Sequence, residues 1–135
     1  MRARSGFTLV EILIVVIILG ILAAIVIPQF TDASTQARLS SLKSNLQTMR
    51  SQIELYKVQH TDTPPTSAAT FNAQMTVVGT DGYGPYLQVV PANPFNDSNS
   101  IAAAAAVGVG WVYETTGVIH AGDTLSTDGV AHSTW

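Results

Sequence analysis

The sequence predicts an α+β fold, in which a long N-terminal helix packs on a small antiparallel sheet. The first half of this helix spans a membrane, and the second half is amphipathic. Three features indicate this fold: residues 12–27 are almost continuously apolar, residues 39–56 repeat apolar side chains at spacings of three and four, and turns with short alternating segments follow Pro64 and Pro65. A helical period followed by strand-like alternation is typical of α+β domains. The 135 residues leave room for one compact domain.

The composition narrows the function classes. Hydrophobic residues make up 47% of the chain and charged residues only 11%, well below the roughly 25% of soluble domains, which argues against a disordered chain. The formal net charge of −3 gives no basic surface for nucleic acid. The absence of cysteine excludes a disulfide framework, thiolate zinc sites and a cysteine nucleophile.

One stretch of the chain is apolar enough to cross a membrane. Residues 12–27 are sixteen residues of which only Gly20 is not plainly apolar, and counted from Phe7 the stretch has twenty-one. As a helix it reaches about 32 Å, close to the thickness of a bilayer's hydrocarbon core. A buried core helix is the alternative, but the rest of the chain is too short to surround a helix that is hydrophobic on every side. Arg2 and Arg4, with no acid beside them, predict a cytoplasmic N-terminus and a single pass.

A distinctive junction precedes the apolar stretch. A short leader with two arginines ends at Gly6, and FTLVE follows at residues 7–11. With this order of parts the sequence resembles the type IV pilin superfamily, which includes pilins and the pseudopilins of type II secretion. The likeness continues through Gly20 and Pro28. It implies a type IV pilin-like fold, cleavage by a prepilin peptidase between Gly6 and Phe7, and N-methylation of Phe7.

Glu11 is an acid inside an apolar stretch, where a carboxylate facing hydrocarbon is costly. It could lie near the headgroups or be protonated, since it stands four positions from the mature end. The family resemblance implies a partner instead: the amine of Phe7 on a neighbouring subunit, so that charge pairing registers one subunit against the next in assembly. The resemblance also implies that the helix between Gly20 and Pro28 is a hinge.

Helical periodicity continues after Pro28 in an amphipathic segment. We expect its apolar face to pack on a small sheet rather than in a coiled coil, which normally sustains more heptads. The prolines at 64 and 65 predict that the helix ends by residues 60–62. The chain then divides into a leader peptide (1–6), a transmembrane and assembly helix (7–28) and an extracytoplasmic pilin-like globular domain (29–135). The apolar face comprises Leu39, Leu42, Leu46, Met49, Ile53 and Tyr56.

Beyond the helix the sequence predicts loops and short strands. Residues 71–78 favour a short helix that runs into a strand, and residues 102–106 are a low-complexity connector. Residues 107–114 alternate as a strand, which turns at 115–117 into a hairpin with residues 118–120.

Two turn-rich phrases, at residues 83–87 (YGPYL) and 91–95 (PANPF), favour a long structured loop. Together with GWVY at residues 110–113 they look like the region between helix and sheet in the major, G-type pseudopilins. This second resemblance favours a pseudopilin within the superfamily.

The sequence contains no catalytic motif. His60, His120 and His132 lack the spacing of a metalloprotease helix, and neither a serine nucleophile elbow nor a phosphate-binding loop is present. We therefore expect no enzyme activity and no cofactor. A lone histidine such as His120 or His132 is better interpreted as a surface residue than as a ligand, so we do not expect His120, Asp123 and His132 to form a metal site. G-type pseudopilins often bind calcium near their C-terminus, but Asp123 and Asp128 stand in a less acidic segment, so no metal site is predicted and calcium is the alternative.

These features predict a structural subunit of a helical fibre, a type II secretion pseudopilus that helps drive protein export. A type IV pilus pilin is the alternative, although many pilins close a C-terminal loop with a disulfide that this chain cannot form. A monomeric membrane-anchored binding module leaves Glu11 and the Gly6–Phe7 junction unexplained, and a tethered enzyme lacks a catalytic constellation.

The resemblance also implies partners and a location. The partners are a prepilin peptidase, other copies of the chain, minor pseudopilins, an inner-membrane assembly platform and membrane lipid. The net charge, considered above, argues against nucleic acid as a primary partner. The location is the bacterial inner membrane, N-in and C-out, and then the periplasmic fibre.

Overall fold

The computed structural model describes residues 6–127 and 130–135. The leader residues 1–5 and Asp128, which entered the predictions above, lie outside the described residues. The chain forms two units, one up to Ala37 and one from Arg38 to Trp135, here called the C-terminal unit. The elements in chain order are α1 (Leu9–Gln59), α2 (Ala68–Thr76), β1 (Ile101–Ala102), β2 (Trp111–Tyr113), β3 (Ile119–Ala121), β4 (Ser126–Thr127), β5 (Val130–Ala131) and a short 3-10 helix (His132–Thr134).

The predicted N-terminal helix is present as α1. It continues through Gly20 and Pro28 and ends at Gln59, close to the end predicted from the proline pair. Asp62 follows in the left-handed conformation with a φ of 62°, and its N–H donates to the Lys57 carbonyl at 2.8 Å. This bond satisfies one of the carbonyls that a helix leaves free at its C-terminus.

The apolar face predicted for the second half of α1 lies in the core of the C-terminal unit. Leu39, at the start of this face, is half-buried, and the other five residues are buried. They pack in one cluster with Phe71 and Met75 of α2 and with the large aromatic side chains of β2. Burial of an apolar side chain of this size contributes roughly 1.5–3 kcal/mol. The five buried residues are Leu42, Leu46, Met49, Ile53 and Tyr56.

The main sheet has three strands in the order β1-β2-β3 and is mixed. β1 pairs parallel to β2, with Ile101 opposite Trp111, and β2 pairs antiparallel to β3, with Tyr113 opposite Ile119. β4 and β5 form a separate antiparallel pair. The α+β fold class is confirmed, while the expectation of a purely antiparallel sheet is wrong at β1. A two-residue strand is too short to show alternation in the sequence.

The predicted hairpin joins β2 to β3. The Glu114 N–H donates to the Val118 carbonyl at 2.9 Å, and the Gly117 N–H donates to the Glu114 carbonyl at 2.9 Å. Gly117 has a φ of 91°, a conformation that a side chain disfavours. The hairpin predicted from the turn residues is therefore confirmed.

Two predicted strand segments are wrong. The strand predicted from residue 107 begins only at Trp111, because Gly108 turns the chain with a φ of 82° and Val107 is exposed. The helix predicted in residues 71–78 is α2, which is capped by the Ser67 side chain, but no strand follows it. The chain after α2 instead runs as loop from residue 77 to 100, which includes both turn-rich phrases.

Candidate functional site

The side chains in the apolar half of α1 are exposed. Every side chain from residue 9 to residue 30 is exposed, and the most apolar eighteen-residue window has a mean hydropathy of 3.3 with none of its residues buried. Within the described part of the chain, α1 is the one helix long and apolar enough to span a membrane. Water does not stabilise such a surface, so this half of the helix requires lipid or other apolar helices around it.

A capping box starts α1. Glu11 Oε2 accepts a hydrogen bond from the Thr8 backbone N–H at 2.8 Å and another from Thr8 Oγ1 at 2.8 Å. In return, the Glu11 N–H donates to Thr8 Oγ1 at 3.2 Å. The first intrahelical bond runs from the Ile12 N–H to the Thr8 carbonyl. Thr8 and Glu11 therefore satisfy donors that a helix N-terminus leaves free, as Thr-x-x-Glu does elsewhere.

The capping box uses only one oxygen of the Glu11 carboxylate. Both bonds from Thr8 end on Oε2, and no described residue donates to Oε1. Oε1 is therefore open to a further donor. Interpreting Glu11 from hydropathy alone misses the role of Thr8, although the T-x-x-E spacing before an apolar run is a recognised signature of a helix start.

The residues of the predicted cleavage site precede the helix. Gly6 and Phe7 are in neither helix nor strand, and α1 begins at Leu9. A side chain built at Gly6 would meet nothing within 4 Å, and Phe7 is 81% exposed. The backbone on both sides of the Gly6–Phe7 bond is thus accessible.

The two predicted hinge residues lie inside a continuous helix. A side chain built at Gly20 would meet nothing within 4 Å. Pro28 has no N–H to donate to the preceding turn, which weakens the helix locally. Thr31 Oγ1 donates to the Ile27 carbonyl at 3.2 Å beside it. The hinge stays a prediction.

The candidate metal ligands are only partly brought together. Asp123 Oδ1 lies 2.7 Å from His132 Nδ1, and Asp123 Oδ2 accepts from Asn93 Nδ2 at 2.6 Å. All three of these residues are buried, so the interpretation of His132 as a surface residue is wrong. His120 is elsewhere, with its Nε2 3.6 Å from Glu114 Oε1. Across residues 6–127 and 130–135, no three His, Cys, Asp or Glu side chains form a metal-binding group.

Comparison with known proteins finds both type II secretion core proteins and fimbrial proteins. Residues 1–27 match the family model of the prokaryotic N-terminal methylation motif. The chain is 33% identical over 115 residues to type II secretion system core protein G of Pseudomonas aeruginosa, covering 79% of each chain. It is 29% identical over 101 residues to core protein G of Aeromonas hydrophila, covering 71% of each. A fimbrial protein of Pseudomonas aeruginosa is 43% identical over 54 residues, covering 40% of this chain and 35% of the fimbrial protein. No solved structure matches the chain.

Proposed function

Because the chain belongs to the type IV pilin superfamily as a G-type pseudopilin of type II secretion, we propose that its N-terminal segment drives the assembly of a pseudopilus. The protein is a structural subunit of that fibre and not an enzyme. The similarity to core protein G extends over 79% of the chain, whereas the similarity to the fimbrial protein covers 40%. This difference in coverage favours a pseudopilus over a type IV pilus.

A pseudopilin with an N-terminal methylation motif is processed by a prepilin peptidase and assembles with other pseudopilins. Cleavage between Gly6 and Phe7, followed by methylation of Phe7, is our proposal for this chain. It is supported by the exposed, non-helical backbone on both sides of that bond. Minor pseudopilins and an inner-membrane assembly platform complete the proposed set of partners.

The apolar half of α1 anchors the subunit in the inner membrane before it joins the periplasmic fibre. We propose a single pass over residues 7–28, with the N-terminus cytoplasmic and residues 29–135 outside. The support for this orientation is the pair Arg2 and Arg4 ahead of the span.

The geometry of Glu11 is the observation that carries the proposal. Its Oε2 caps its own helix through Thr8, and its Oε1 remains open. In the mature subunit the chain would begin with the charged amine of Phe7. We propose that Oε1 accepts this amine from a neighbouring subunit, because a carboxylate at low dielectric is stabilised when it is both paired and hydrogen-bonded.

The experiment separates the capping role of Glu11 from its pairing role. Glu11→Gln keeps a capping-box residue but removes the charge, whereas Thr8→Ala removes the capping hydroxyl and keeps the charge. We expect Glu11→Gln to abolish fibres at an unchanged membrane level. Loss of the cap costs about 0.5–2 kcal/mol of helix stability, so Thr8→Ala should still form fibres. Thr8→Ser, which keeps the hydroxyl, is the matched control.

Fibres would be counted by electron microscopy in cells that overexpress each variant, at membrane levels equalised by immunoblot. The intact mass of the extracted protein shows whether each variant is cleaved after Gly6. Wild-type fibre numbers from Glu11→Gln would refute the pairing role. Loss of fibres in Thr8→Ala but not in Glu11→Gln would assign the acid to helix capping alone.

A further inference from the structure

His60, the first residue after α1, is held between two hydrogen-bond acceptors. Its Nδ1 lies 2.9 Å from the Tyr56 carbonyl oxygen, and its Nε2 lies 2.7 Å from Asp81 Oδ2. A backbone carbonyl and an ionised carboxylate accept hydrogen bonds but cannot donate them. Each ring nitrogen therefore has to carry a proton, and a histidine with both protons is a positively charged imidazolium.

Aromatic rings surround the same imidazole. The Tyr56 ring stacks on it, with the ring centroids 3.8 Å apart and an angle of 5° between the ring planes. Tyr83 and Tyr86 lie at steep angles to it, with centroid distances of 5.9 and 6.2 Å. The face of a tyrosine ring attracts a cation at such short range. The stacked Tyr56 ring therefore favours the charged form of His60, as the two acceptors do.

Asp81 is positioned for this contact by its own turn, residues 79–83. Its Oδ1 accepts from the Tyr83 N–H at 3.2 Å. This bond and, after it, the charge of His60 lower the pKa of Asp81 below its ordinary value, so the carboxylate is ionised. The turn is closed by the bond from the Gly79 N–H to the Tyr83 carbonyl at 2.8 Å. A side chain built at Gly79 would collide with the Asp81 carboxylate, so glycine leaves room for it.

No other basic side chain substitutes for His60. Within residues 6–127 and 130–135, His60 is the one basic residue within 4.0 Å of the Asp81 carboxylate. α2, which packs beside this cluster, has no titratable side chain. The remaining titratable groups on the elements around His60 are Tyr56, Tyr83, Tyr86, Lys57, Glu54 and Asp62. Lys57 pairs with Glu54 at 3.1 Å.

We propose that protonated His60 holds the 79–83 turn against the end of α1, and that loss of one ring proton releases the turn. A neutral imidazole has one N–H for two acceptors, so one ring nitrogen then directs its lone pair at an oxygen. Histidine is the side chain whose charge ordinarily changes between about pH 5 and 8. The turn is therefore a pH-dependent element of the surface at the end of α1. This role goes beyond fibre assembly and does not depend on it.

Hydrogen–deuterium exchange of the full chain in detergent micelles tests the release. A peptide covering residues 76–83 contains the N–H groups of Gly79, Gly82 and Tyr83, which are all bonded within the turn. We expect it to exchange about tenfold faster at about pH 8.5 than at about pH 5.5, with labelling times scaled to the intrinsic rate at each pH. The Leu87 N–H donates to the Met75 carbonyl outside the turn, so a peptide covering residues 84–90 should show no such difference.

Two histidine variants identify the group responsible. His60→Gln carries no charge at either pH, so its 76–83 peptide should exchange rapidly at both. His120→Gln is the matched control, because His120 also faces a carboxylate, with its Nε2 3.6 Å from Glu114 Oε1. This control should keep the wild-type difference. A difference that persists in His60→Gln, one that disappears in His120→Gln, or none in the wild type would overturn the proposal.

A spectroscopic measurement on the wild type covers the case in which His60→Gln folds poorly. Nuclear magnetic resonance of the full chain with ¹⁵N-labelled histidine counts the ring N–H groups, and contacts with the Tyr56 ring assign those of His60. We expect two ring N–H signals from His60 at about pH 5.5, and the loss of one as the 76–83 peptide becomes exchangeable. A single ring N–H while the turn is still protected would show that the imidazolium does not hold it.

Discussion

Replacing Asp123 by asparagine is expected to destabilise the C-terminal unit strongly, although the side chain keeps its size. Asp123 Oδ1 faces His132 Nδ1 and also accepts from the Leu125 N–H at 3.1 Å, while Oδ2 accepts from Asn93 Nδ2. A carboxylate suits this position because it only accepts hydrogen bonds. An asparagine must place its own NH₂ group where either Oδ1 or Oδ2 now stands. Both positions already face a donor, the Leu125 N–H at Oδ1 and Asn93 Nδ2 at Oδ2.

The neighbouring Asn93 cannot turn over to relieve the conflict. Its Oδ1 accepts from the Phe95 N–H at 2.9 Å, and its Nδ2 also donates to the Gly110 carbonyl at 3.0 Å. Leaving a buried hydrogen-bonding group unsatisfied costs about 1–3 kcal/mol. A domain of this size has a free energy of unfolding of about 5–15 kcal/mol in total. At about 4 °C per kcal/mol, the variant should lose about 4–12 °C in Tm.

The measurement is thermal unfolding by circular dichroism of a fragment that starts at Thr31. Asp97→Asn is the matched control, because it makes the same change at an exposed turn whose left-handed backbone asparagine tolerates well. We expect the control to stay within about 0.5 kcal/mol of the wild type. If Asp123→Asn unfolds at the same temperature as Asp97→Asn, the buried hydrogen-bond network does not stabilise the fold as argued.

Two further predictions concern the same unit. Deletion of residues 1–30 should release a soluble domain that unfolds cooperatively, because among the described residues every buried core side chain lies at Leu42 or beyond. A non-cooperative thermal transition would show that the sheet depends on fibre contacts. Burial raises the pKa of Tyr113 to about 12, and its hydroxyl donates to the Pro65 carbonyl. Because the folded pKa is above the ordinary value of 10.0, the contribution of Tyr113 to the free energy of unfolding should be fully present below about pH 10. The free energy of unfolding should then decline as the pH rises towards 12. This decline should be smaller in Tyr113→Phe, which has no hydroxyl to titrate. Chemical unfolding at stepped pH measures this, and equal declines in both proteins would contradict it.

The sequence was sufficient to predict the long helix, its amphipathic face and the hairpin, because these features depend on local patterns. Apolar side chains at spacings of three and four can face one side only in a helix. The turn at Gly117 needs a positive φ that glycine supplies at low cost. The capping box of Thr8 and Glu11 is also a local pattern, since its residues are only three apart, but hydropathy alone does not reveal it.

The contacts that the sequence could not predict join distant residues. The Asp123 network includes Asn93 and His132, which are 30 and 9 residues away along the chain. Singly, each of these residues is typical of a surface, and only their burial together gives them a structural role. β1 is similar, because Ile101 and Ala102 become a strand only through their pairing with β2.

The two halves of α1 obtain their stability from different sources, and this difference bears on how a fibre is specified. The second half is buried by its own chain, whereas the side chains of residues 9–30 are exposed throughout. Exchanging lipid for a neighbouring helix changes the environment of these apolar side chains little, because lipid tails are as apolar as leucine. Apolar surface alone therefore holds subunits near one another without fixing their register. We infer that register must come from polar groups that a single copy leaves without a charged partner among the described residues, and Glu11 Oε1 in the membrane segment is one of them.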